Sequence, residues 1–101
     1  MLAEDDRVVT GANVENASYG LSMCAERTAV HTAASQGLRS FRAIAVVSGN
    51  DRPTWPCGAC RQVLFEFGPD LLVVSEGTSG ERMQRTLSEL LPDAFGPDDL
   101  R

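Results

Sequence analysis

All three cysteines of the chain fall into one pattern, Cys24-Ala25-Glu26-Arg27 followed much later by Pro56-Cys57-Gly58-Ala59-Cys60-Arg61. Three thiolates can grip a zinc ion and leave its fourth tetrahedral position open to water, whereas closed structural zinc sites recruit four protein ligands. A carboxylate two residues from the first sulfur can move protons on and off that water. Any fold that serves this pattern must bring two distant segments to one point, Cys24 on one and Cys57 with Cys60 on the other. The expected metal ligands are therefore Cys24, Cys57 and Cys60 around one zinc ion per subunit, with Glu26 as the catalytic residue.

The chain is short, and its composition limits what else it can be. With 101 residues it is expected to form a single domain over 1–101 with one core. Hydrophobic residues make up 43% and charged residues 23%, the mix of a soluble globular protein, and no apolar run is long enough to cross a bilayer. The start Met1-Leu2-Ala3-Glu4-Asp5-Asp6 lacks the basic-then-apolar order of a secretion signal, so a cytoplasmic protein with reduced thiols is expected. A net charge of -5, with nine basic residues that are all scattered arginines, argues against a nucleic-acid partner.

Periodicity gives a layered α/β order. Arg7-Val8-Val9-Thr10 reads as a short strand after an acidic turn, and Gly11 to Gly20 as an ordered loop. Ala25, Ala29, Val30, Ala33 and Ala34 recur at helical spacing between Met23 and Gln36, with Gly37 as a left-handed stop. Ala43-Ile44-Ala45-Val46-Val47 is a continuous apolar run, expected to be a central strand covered on both faces. A second helix is predicted from Gly58 to Phe67 with Cys60, Leu64 and Phe67 on one stripe, then a strand at Leu71–Val74. A turn over Gly77–Gly80 leads to a short antiparallel edge strand at Arg82–Gln84, and Thr86-Leu87-Ser88-Glu89 has the form of a capping box. The buried strands are expected to run parallel, which sets both cysteine clusters at helix starts on one end of the sheet.

Cys24-x-Glu26 with Pro56-Cys57-x-x-Cys60 resembles the zinc deaminases in their all-cysteine form. The wider strings Gly11-Ala12-Asn13-Val14-Glu15-Asn16-Ala17-Ser18-Tyr19-Gly20 and Cys57-Gly58-Ala59-Cys60-Arg61-Gln62-Val63-Leu64 are similar to the small homotetrameric cytidine deaminases, over about Arg7 to Leu100. The resemblance implies a three-layer α/β/α domain with a mixed sheet, and hydrolytic deamination of cytidine and deoxycytidine in pyrimidine salvage. It implies that Asn13 and Glu15 hold the ribose, that the backbone at Ala25 and Pro56 meets the pyrimidine, and that Tyr19 and Phe95 reach a neighbouring subunit's pocket. It also implies that Arg27 and Arg61 contact the ligand sulfurs and offset the charge of three thiolates.

By the same resemblance, an N-terminal helix and a strand precede the segment at Arg7–Thr10, and both are expected to be missing here. The absent strand would lie between Arg7–Thr10 and Ala43–Val47, so Met1 is read as a misplaced start or a broken end of an incomplete gene product. Taken as complete, the chain is expected to have weak or absent activity and impaired assembly. Two other readings stand beside the main one: deamination of another aminopyrimidine nucleoside, such as a nucleoside antibiotic, and a catalytically silent zinc-binding fragment. His31 is excluded as a fourth ligand, because seven residues along a helix is about 10 Å of rise from Cys24.

Overall fold

The computed structural model describes residues 1–100. Its sheet has four strands in the spatial order of the sequence: β1 (Leu2–Ala3), β2 (Phe41–Val47), β3 (Leu72–Glu76) and β4 (Arg82–Thr86). The β2–β3 pair is parallel and the two outer pairs are antiparallel, so the sheet is mixed, as expected. Helices α1 (Ala25–Ser35) and α2 (Gly58–Phe65) are in contact with one another, and α3 (Leu87–Leu90) follows β4.

Local chemistry explains where the helices stop and start. Gly37 has φ +82°, and the Leu38 amide bonds to Ala33 O while the Gly37 amide bonds to Ala34 O. That pair of bonds is a Schellman closure, which only a residue tolerant of left-handed backbone completes cheaply. α2 ends at Phe65, two residues before the expected limit, yet Phe67 still packs inward, with its ring edge-on to Phe41 at 5.9 Å between centroids. Thr86 and Glu89 form both halves of the expected capping box at α3.

The core lies on one face of the sheet. Val30 and Ala33 of α1, Leu64 of α2, Val73 of β3 and Leu87 of α3 are fully buried, joined by Ile44 of β2. On the opposite face, Ala45 and Val47 of β2 are exposed and Ala43, Leu72 and Val74 are half-buried. The central run is therefore not covered on both faces. Among the described residues no strand pairs with its second half on the side away from β3, because β1 registers only with Phe41 and Ala43.

The N-terminal segment also differs from expectation. Arg7–Thr10 forms no strand; Val8 makes a single antiparallel bridge to Leu2, and the Val9 amide donates to Met1 O. The place between this segment and β2 is held by Leu2–Ala3 itself. The physical cause is the acidic turn. The Asp6 amide donates to Ala3 O and Asp6 sits at φ +73°, a left-handed position that aspartate tolerates, so the chain reverses at once and buries Met1 and Ala3. Asp6 pairs with Arg42 and Asp5 with Arg7, which pins the turn.

Candidate metal centre and its cavity

Cys24 and Cys57 occupy equivalent places, each the N-cap of a helix. The α1 and α2 starts lie side by side, so sulfurs far apart in sequence meet. The Sγ atoms of Cys24 and Cys57 are 3.8 Å apart, those of Cys57 and Cys60 are 3.3 Å apart, and all three lie within 4.8 Å of one another. A tetrahedral ion with zinc–sulfur bonds of about 2.3 Å would separate its sulfurs by about 3.8 Å, so the cluster has the right span. Soft thiolates are also the donor set that selects zinc among common divalent ions.

Protonation of the thiols follows from their surroundings. The Cys57 thiol is held below its ordinary range, first by the Cys60 backbone N–H that donates to it at 3.5 Å. The Cys60 thiol is pushed up, chiefly by burial and then by its two thiol neighbours, with the Glu26 charge adding to the effect. Arg27 supplies the opposing charge. Its Nη2 donates to Cys24 Sγ at 3.6 Å, and contact with Cys24 and Cys60 holds its guanidinium more firmly protonated. Its Nε is buried without a hydrogen-bond partner among the described residues. An orphaned cationic donor beside three sulfurs suits a cluster that carries negative charge, as three metal-bound thiolates do.

Arg61 does otherwise than expected. Its Nε donates to Pro56 O at 2.7 Å and its Nη1 to Leu90 O at 2.7 Å, so its recorded bonds brace carbonyls rather than sulfur. Pro56 is buried, so its carbonyl needs a donor, and the Cys57 sulfur already accepts the Cys60 amide.

A cavity of about 710 Å³ borders the cluster, lined by Cys24, Ala25, Glu26 and Cys57, by residues 8–13 and by residues 44–49 with Thr54. It therefore joins the first ligand, the acid and one of the two expected ribose residues. Asn13 Oδ1 accepts the Ala25 amide at 2.9 Å, which satisfies a free donor at the start of α1 and leaves Asn13 Nδ2 available. The Ala25 amide and the Pro56 carbonyl, expected to meet a base, are thus already engaged. Glu15, Tyr19 and Phe95 lie outside the cavity wall, with Tyr19 90% and Phe95 60% exposed. His31 is exposed on α1, away from the cluster. Sequence reasoning missed the lining residues Ser48, Gly49 and Thr54, which only the turn of the loop after β2 brings to the site.

Residues 1–76 match the family model described as the cytidine and deoxycytidylate deaminase zinc-binding region. The cytidine deaminase of Halalkalibacterium halodurans is 52% identical over 101 residues, spanning 99% of this chain and 76% of its own length. That of Mycobacterium tuberculosis strain H37Rv is 48% identical over 98% of this chain and 71% of its own length. The crystal structure of cytidine deaminase from Burkholderia pseudomallei superposes with a TM-score of 0.90 at 50% identity, covering 93% of this chain and 76% of that one.

Proposed function

The chain belongs to the cytidine and deoxycytidylate deaminase family, and on that premise we propose how its residues carry out zinc-dependent hydrolysis of cytidine and deoxycytidine to the uridine products and ammonia. One observation carries the reading: the sulfurs of Cys24, Cys57 and Cys60 converge within 4.8 Å beside the cavity that Glu26 lines. Cys24, Cys57 and Cys60 would hold the ion. Bound zinc supplies Lewis acidity, which makes water a usable nucleophile at neutral pH.

Glu26 takes the proton from the attacking water and delivers it to the ring nitrogen beside the attacked carbon. It then passes the second water proton to the departing amine, which leaves as ammonia while the oxygen stays on the ring. Asn13 Nδ2 donates to a ribose hydroxyl, and exposed Glu15 accepts from another. Ala25 walls the base, and the Pro56 carbonyl keeps one lone pair for the pyrimidine beside Arg61. Arg27 stays against the sulfurs and balances their charge. Tyr19 and Phe95, both solvent-facing in one chain, serve a neighbouring subunit's pocket in a homotetramer. We place this salvage enzyme in the cytoplasm, where its three free cysteines stay reduced and able to bind metal.

Glu26→Gln is the test. The variant is expected to keep one zinc per chain and lose cytidine turnover by about 10²–10⁴-fold, the range for removal of a general acid–base. Retained turnover would refute Glu26 as the proton carrier, and a wild-type chain that binds zinc without turnover would favour the silent fragment. Relative turnover of cytidine and an aminopyrimidine antibiotic separates the two substrate readings.

A further inference from the structure

Cys57 is the exposed residue of the three cysteines, and it sits where the loop after β2 becomes α2. That loop is fastened from β3 and from the turn that follows it. Ser75 of β3 is fully buried, and its Oγ donates to Thr54 O at 2.5 Å. The Thr78 amide donates to Asn50 O at 2.8 Å, Ser79 Oγ to Asp51 O at 2.7 Å, and Thr78 Oγ1 to Asp51 Oδ1 at 3.2 Å. At Gly77 a Cβ would lie 2.3 Å from Asp51 O, so loop and turn are packed backbone to backbone.

Ser75 stands out because its site asks for an apolar side chain. The sheet positions around it on the core face, Val73 in the same strand and Val46 beside it in register, are apolar. A buried hydroxyl is costly there unless it is bonded, and its bond reaches the loop rather than the sheet. Thr54 in turn lines the cavity with Cys57.

We propose that Ser75, with the Gly77-Thr78-Ser79 turn, is a positioning device for the metal centre. It holds the loop Asn50–Pro56 at the depth where Cys57 Sγ meets the sulfurs of Cys24 and Cys60. Ser75 touches neither metal nor substrate; it acts through the Thr54 carbonyl. The inference rests on the zinc-deaminase reading and adds to it the residues that set ligand geometry.

The test compares Ser75→Ala, Ser79→Ala and Ser79→Thr with the parent chain, well below the melting temperature of each. Zinc affinity is measured by competition with a chromophoric chelator, and ligand geometry by the visible spectrum of the cobalt-substituted protein. Ser75→Ala is expected to weaken zinc binding about tenfold, the lower end for supporting partners of metal ligands, and to alter the cobalt bands. Ser79→Ala, at an exposed position, is expected to shift both in the same direction by less, and Ser79→Thr to restore them. Variants that lower the melting temperature but keep parental zinc affinity and cobalt spectrum would overturn the proposal, leaving a structural role only. A parent chain that binds no zinc would instead defeat the deaminase reading on which the proposal stands.

Discussion

Cys24 and Cys57 both cap helices and face the same cavity, yet the turn carrying Cys24 is braced from an exposed loop and the turn carrying Cys57 from the interior of the sheet. Before Cys24, residues 11–20 are all exposed, and the turn relies on the Val14–Met23 bridge, the Asn13 bond to the Ala25 amide and the close approach of Gly11 to α1. Before Cys57, the support is a buried serine and a turn packed backbone to backbone. The two halves of one metal centre thus differ in how far their geometry depends on the sheet. The loosely braced half is the one that carries Asn13 and Glu15, the residues proposed to hold the ribose.

Removing zinc is expected to produce the largest effect and to expose this asymmetry. An ion held at about 1,000 times its dissociation constant stabilises the folded chain by about 4 kcal/mol, so chelation should lower Tm by more than about 10 °C. Amide exchange should then rise more over Asn13–Met23 than over Asn50–Pro56. Equal gains in exchange at both turns would break the comparison.

Gly11→Ala comes next. A Cβ there would lie 2.5 Å from Ala25 O and 2.6 Å from Ala29 N, so the loop must retreat from α1. Overpacking of this kind costs about 1–3 kcal/mol in urea unfolding, while Gly20→Ala, with nothing within 4 Å, should stay within about 0.5 kcal/mol. A neutral Gly11→Ala would mean that the Cys24 turn does not depend on this contact.

The smallest effect on the site is expected from Thr86→Ala, which removes the cap at the start of α3, whereas the bond from α3 toward the Cys57 turn comes from Leu90 at its other end. It should cost about 1 kcal/mol of stability and leave zinc affinity unchanged. A fall in affinity would show that the centre responds to general loosening, which would blunt the distinction between its two halves.

Features set by a few neighbouring residues were legible in the sequence. The two helix starts at ligands, the Gly37 stop, the Gly77–Gly80 turn and the Thr86–Glu89 box depend on local backbone preference and short-range bonds. Pairing across the sheet was not legible. Arg7–Thr10 looked like a strand because Val8 and Val9 are β-branched, but the tight turn at Asp6 gave the pairing place to Leu2–Ala3. Arg61 looked like a partner for sulfur because it follows Cys60, yet two carbonyls, one of them 29 residues away in α3, claim it.

The sequence by itself determined the donors and the acid: three sulfurs, Glu26 two residues from the first, and helices that begin at Cys24 and Cys57, because residue type and local periodicity carry that information. Tertiary structure alone decided that the sulfurs meet within 4.8 Å, that Asn13 takes the Ala25 amide, and that Ser75 fastens the loop before Cys57. Those outcomes depend on which distant groups the packed sheet and helices bring within bonding distance of one another. No pattern of neighbouring residues encodes that choice.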